Sequence, residues 1–141
     1  SGLTCPYIFQ KAASPHLAAR LAGATIEPEK ITEATNILTA RYDNVIIEGV
    51  GGLMVPLNKS VTTLDYLSDL KYPTILVTSS RLGSINHTLM SIELLQSRDI
   101  PLQGLIYNRF GETDKTIGDD TLKLFKEHLN ELPNTPSVTE I

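Results

Sequence analysis

Hydrophobic and polar positions follow two rhythms along the chain, one helical and one extended. Ser14-Pro15-His16-Leu17 opens the first helical stretch. Ser14 is placed to accept a bond from a free backbone N–H, and Pro15 suits a first turn, where its missing N–H is not needed. Leu17, Ala18 and Leu21 share one side, and Gly23 is placed to end the helix. A second helix is expected after Pro28, with Ile31, Ala34, Thr35, Leu38 and Tyr42 on one face. Residues 44–47 (Asn-Val-Ile-Ile) then read as a short buried strand, because the run is apolar and β-branched. Gly49, Gly51 and Gly52 punctuate its end. Thr63 reads as the N-cap of a short helix carrying Leu64, Leu67 and Leu70. Residues 74–77 form a second strand behind Pro73, and Ser84 starts a helix through Leu89, Ile92, Leu95 and Gln96 to Arg98. Residues 105–107 form a third strand and residues 116–129 the last helix. The segment from Pro133 on has two prolines and little apolar content, so it is expected to be irregular.

Strands alternating with helices imply βαβ units and a parallel sheet. The expected fold class is α/β, a parallel sheet with flanking helices, as one domain over residues 1–141. Three strands are few for a sheet buried on both faces, so the domain reads as incomplete on its N-terminal side. Ser1-Gly2 resembles a tag remnant, which puts the expected native start upstream. Composition narrows the function classes. Apolar residues at 41% and charged residues at 20% argue against global disorder. A net charge of -4 with no Lys/Arg cluster gives no footprint for nucleic acid. Glu48 interrupts the longest apolar run, so no membrane span is expected, and no signal peptide is visible. Cys5 is the single cysteine, which excludes an internal disulfide framework and a multi-cysteine zinc site; a reducing, cytoplasmic setting is the simplest reading.

The chemistry concentrates at expected element ends. Glu48-Gly49-Val50-Gly51-Gly52-Leu53 sits where a strand meets its loop, and open α/β sheets bind ligands beyond the carboxyl ends of their strands. Glu48 could hold Mg²⁺ directly or through water, while the glycines let backbone N–H groups approach a ligand. The alternative is a glycine-rich turn with a solvated carboxylate. The start of the helix at Gly83–Asn86 has free N–H groups and a dipole that favour an anion; the alternative is a capped helix without a ligand. His87, in that first turn, reads as structural rather than as an acid or base.

Four segments carry a resemblance to dethiobiotin synthetase. Glu48-Gly49-Val50-Gly51-Gly52-Leu53-Met54-Val55-Pro56-Leu57 resembles that family's strand-and-loop motif, with Val50 where Ala is usual. Arg81-Leu82-Gly83-Ser84-Ile85-Asn86-His87-Thr88-Leu89 is similar to its helix-opening motif. Ser14-Pro15-His16-Leu17-Ala18-Ala19 and Gln103-Gly104-Leu105-Ile106-Tyr107-Asn108 resemble two more, in the family's order and approximate spacing. The resemblance implies a P-loop NTPase-like α/β/α fold in a Mg²⁺-dependent homodimer. Such an enzyme carbamylates 7,8-diaminononanoate with CO2, phosphorylates the carbamate with ATP and closes a cyclic urea, in the pathway to biotin. The task is positioning plus electrostatics. By resemblance, Glu48 belongs to the Mg²⁺ site, and Gly49, Val50 and Gly51 approach the nucleotide phosphates. Asn108 bonds adenine, with Arg109 beside it, since an amide both donates and accepts; a strand-closing turn is the alternative. Gly83, Ser84, Ile85 and Asn86 receive the substrate carboxylate across the dimer interface, Leu82 borders its alkyl chain, and Ser14 is a polar contact near it.

The match has gaps. The phosphate-cradling G-x-x-x-x-G-K-[ST] pattern is absent, so no catalytic lysine is assigned, and the tail lacks the family's Leu-Gly-x-Ile-Pro-like stretch. The resemblance therefore covers the C-terminal two-thirds of such an enzyme. Three readings follow: part of a dethiobiotin synthetase, a shortened and catalytically silent relative acting as a binding or assembly module, or part of another P-loop ligase or amidotransferase domain.

Overall fold

The computed structural model describes residues 2–141; Ser1, where the expected tag remnant begins, lies outside the described residues. The chain divides into two compact units, Ser1–Asp69 and Leu70–Ile141.

The first unit contains α1 (Pro15–Leu21), α2 (Pro28–Thr39) and most of α3 (Thr63–Leu70). Ser14 caps α1 with its carbonyl and not, as expected, with its hydroxyl: the Leu17 and Ala18 N–H groups donate to that oxygen at 3.0 and 2.9 Å. One of the two N–H groups a serine hydroxyl could cap, that of Leu17, is thus already taken. Helix α1 buries Ala18, with Leu17 half-buried, as expected, and adds Ala19, but Leu21 of the expected face is exposed. Past Gly23 the Ala24 N–H reaches back to the Ala19 carbonyl at 2.9 Å, closing the helix as expected. Helix α2 buries Ala34 and Thr35 and ends before Tyr42, which is exposed and not on the expected face. The Thr32 and Tyr66 hydroxyls, 3.2 Å apart, link α2 to α3.

Two further expectations in this unit are corrected. Residues 44–47 are not a strand, and Ile46 is 94% exposed. A strand exists only as part of a ladder, and no ladder partner for this run is present among the described residues. The cap of α3 is Thr62, not Thr63. Thr62 N–H donates to the Asp65 carboxylate at 3.0 Å and Asp65 N–H donates to Thr62 Oγ1 at 3.1 Å, a reciprocal capping box.

The second unit is a three-stranded parallel sheet in chain order, β1 (Thr74–Ser79), β2 (Leu102–Asn108) and β3 (Ser137–Glu140). Helix α4 (Ser84–Ser97) connects the first pair and α5 (Lys115–Asn130) the second. The tail is therefore not irregular throughout. Its last residues pair with β2, and the strand went unread because it is short and polar, with Val138 its one half-buried residue. Thr74 pairs with Leu102 and Ile75 with Gly104, so Gln103 is skipped as a bulge.

Both helices cover one face of the sheet. Thr78 of β1 meets Thr88 of α4 through their hydroxyls at 2.6 Å. Tyr107 of β2 meets Phe125 of α5 edge to face, with ring centroids 6.0 Å apart. Buried Ser84, Thr88, Ile92 and Leu95 form the inward stripe of α4, while Gln96 of the expected face is exposed. Leu122, Phe125 and Leu129 form that of α5. The opposite sheet face leaves Ile75 and Val77 exposed.

Tyr107 is fully buried and its hydroxyl donates to the Gly118 carbonyl at 3.0 Å. Burial pushes its phenol above the ordinary value of 10.0, opposed by the nearby Arg109 cation. A raised folded pKa means that the native state keeps a proton the unfolded chain loses. The stabilisation is complete below the unfolded pKa and is lost as pH rises through the folded one. Urea unfolding is expected to show Tyr107→Phe about 1 kcal/mol less stable at neutral pH. That gap should narrow above about pH 10. A gap independent of pH would show that Tyr107 does not couple folding to its proton.

Candidate active site

In the first unit the candidate segment is the loop 48–55. Glu48 is exposed, and its carboxylate has no hydrogen bond or ion pair among the described residues. Val55 N–H donates to the Gly52 carbonyl at 3.2 Å, turning the chain after the glycines. Gly49, Val50 and Gly51 are all exposed, and no backbone N–H of the three has an acceptor among the described residues. No group of three or more His, Cys, Asp or Glu residues that could hold a metal occurs among the described residues. Glu48 therefore offers one carboxylate, which fits Mg²⁺, an ion held by one or two carboxylates with waters and phosphates completing its shell. Ser14 is exposed beside α1, and the nearby His16 has a buried Nδ1 without a partner among the described residues.

In the second unit two expected sites come together at the carboxyl end of the sheet. Ser79 pairs with Asn108, and the Ser80 N–H donates to the Asn108 carbonyl at 3.3 Å. The end of β2 is thereby tied to the loop leading into α4. Ser80 is buried and its Oγ has no partner among the described residues.

The start of α4 is open. Gly83, its N-cap, has φ +92, a left-handed conformation that suits glycine. Ser84 N–H turns back to the Arg81 carbonyl at 3.0 Å, so it is not free for a ligand; the Ser84 residue itself is buried. The Gly83, Ile85 and Asn86 N–H groups have no acceptor among the described residues. Leu82 is fully exposed just before them, and His87 is an exposed first-turn residue.

Asn108 is half-buried. Its Oδ1 accepts from the Phe110 N–H at 2.8 Å, which fixes the amide orientation and leaves Nδ2 as a donor without a partner among the described residues. Arg109 turns away from this edge. Its Nε, Nη1 and Nη2 donate to Glu140, Glu112 and Asp119 at 2.7, 2.7 and 2.6 Å. The hydrogen bond to Asp119, with those to Glu112 and Glu140, holds the guanidinium above its ordinary range against desolvation. Its carbon centre also lies 5.4 Å from the Tyr107 ring centroid. The Arg109 and Glu112 side chains are 19% and 13% exposed, so this pair is better shielded than a surface ion pair. Sequence reading missed this cluster. Arg109 and Glu112 are three apart, but Asp119 and Glu140 meet them only through the fold.

Parallel βαβ units with open backbone donors at a helix start place this unit in the α/β class whose ligands bind beyond the carboxyl ends of the strands. A family model described as AAA domain matches residues 2–141, and the chain belongs to that P-loop NTPase-like family. Its relatives are specific: it is 50% identical over 135 residues to the ATP-dependent dethiobiotin synthetase BioD 2 of Pasteurella multocida, covering 95% of this chain and 63% of the relative. Identity is 44% over 136 residues to the BioD 2 of Haemophilus ducreyi, covering 96% and 64%. It is 48% over 120 residues to the BioD of Chlorobaculum tepidum, covering 85% and 50%. The chain thus spans between half and two-thirds of the length of these relatives. No helix among the described residues is long and apolar enough to cross a membrane.

Proposed function

We propose that this chain carries the substrate-carboxylate and adenine-binding portion of an ATP-dependent dethiobiotin synthetase acting on 7,8-diaminononanoate and CO2. The observation that supports it most is the start of α4, where Gly83, Ile85 and Asn86 keep their N–H groups open within the segment that resembles the family's carboxylate site. An anion there meets both free donors and the positive end of the helix dipole. Ser84 contributes through the helix start rather than through its N–H, and exposed Leu82 borders the alkyl chain. Exposed Leu82 and Met90 flank this segment and support its use at an interface with a second copy in a homodimer. Ser14 offers an exposed hydroxyl for a polar substrate contact.

Asn108 offers Nδ2 to a ring nitrogen of adenine, and Arg109 acts as a positioning residue that holds the strand end carrying it. Glu48 supplies a carboxylate to Mg²⁺, and the N–H groups of Gly49, Val50 and Gly51 face nucleotide phosphates. Mg²⁺, when bound, neutralises charge on the transferring phosphoryl group.

The test is a chimera in which this chain replaces the matching segment of the Pasteurella multocida relative. The chimera is expected to form dethiobiotin from 7,8-diaminononanoate, bicarbonate and MgATP, and to restore growth without biotin to a strain lacking the enzyme. A folded chimera with no product would reject the assignment.

A further inference from the structure

The turn after Asn108 holds one aromatic ring in a fixed display. Glu112 N–H donates to the Arg109 carbonyl at 2.9 Å, and Gly111 has φ +77. Together these are the marks of a type II turn with Phe110 at its first corner. The Phe110 N–H is held by Asn108 Oδ1, and Arg109 directly before it is bonded to three carboxylates. Yet the ring is 81% exposed. A single exposed apolar residue is ordinary. This one differs because its backbone is held by the turn and by Asn108, immediately beside that residue's amide donor.

We propose that Phe110 is the stacking wall for the purine base of ATP. This deepens the reading of Asn108 given above and rests on it. The phenyl ring has no hydrogen-bonding group, so it supplies affinity and orientation, while Asn108 Nδ2 supplies the edge contact. The larger purine overlaps it more than a pyrimidine does, which favours ATP over UTP. The Asn108 side chain bonds the Phe110 backbone, so the edge donor and the wall are set by one hydrogen bond.

The chain has three phenylalanines, Phe9, Phe110 and Phe125. Labelled with 4-fluorophenylalanine, the full chain should give three fluorine resonances, with Phe110 identified by its loss in Phe110→Leu. ATP is expected to shift the Phe110 resonance, UTP to shift it less, and tripolyphosphate to leave it in place. Phe110→Ala and Phe110→Leu should weaken ATP by about 5- to 100-fold, the range of base–aromatic stacking. Tripolyphosphate binding should not change. If Asn108→Ala weakens ATP while both Phe110 variants bind it normally, stacking is overturned and the Asn108 reading stands. If Asn108→Ala also has no effect, or about 10 mM ATP moves no resonance, both fail. A change in sedimentation mass of Phe110→Ala with unaltered ATP affinity would instead make the ring a contact between copies, and would also overturn stacking.

Discussion

Phe125→Ala is expected to lower the stability of the Leu70–Ile141 unit by about 3–5 kcal/mol, the usual range for emptying a buried aromatic site. Phe125 is fully buried, its ring is set edge to face against Tyr107, and Leu122 and Leu129 flank it on the inward stripe of α5. A small domain holds about 5–15 kcal/mol in all, so this one change removes a large share. The site should feel it, because Tyr107 directly precedes Asn108. Urea unfolding measures the loss. Phe125→Leu, which keeps most of the volume, should recover more than half. A midpoint unchanged in Phe125→Ala would mean that α5 is not packed on the sheet through this ring.

Glu48→Gln in the active chimera is expected to reduce turnover by about 100-fold or more and to raise the Mg²⁺ concentration needed for half-maximal rate. Metal neutralisation of phosphoryl charge contributes several kcal/mol, and each 1.4 kcal/mol is about tenfold in rate. The amide is nearly the same shape, and Glu48 is exposed and bonded to no described residue, so stability should move by no more than about 0.5 kcal/mol. Steady-state rates across a Mg²⁺ titration, paired with a thermal unfolding curve, separate the two effects. Equal turnover and equal Mg²⁺ dependence would remove Glu48 from the metal site.

The parts of the fold that could be read from sequence are those with local causes. Strands β1 and β2 are apolar runs bounded by prolines and turns, and α4 and α5 have the helical spacing of apolar residues. Residues 44–47 have the composition of a strand, but pairing is a property of neighbours, and composition cannot supply one. The converse holds for β3, whose polar Ser137-Val138-Thr139-Glu140 is a strand because Gly104 to Tyr107 lie beside it. Within the site, Gly83, Ile85, Asn86 and Asn108 stood out as residues at element ends. The engagement of the Ser84 N–H, the orphaned Ser80 hydroxyl and the carboxylates around Arg109 did not, because each depends on a non-local approach or on a turn of the loop.

Because the sheet is ordered as the chain is, β1 then β2 then β3, each strand adds to the outer edge of one already synthesised. Neither pairing requires a later segment to be inserted between earlier ones, so this unit can assemble while it emerges from the ribosome. Glu140 comes last, and with it the third carboxylate on Arg109. Nascent chains halted before residue 137 should therefore have a formed β1–α4–β2 core and a loosely held Asn108 turn. Pairing of residues 137–140 with β2 then brings the third carboxylate to Arg109 and tightens the turn that follows Asn108.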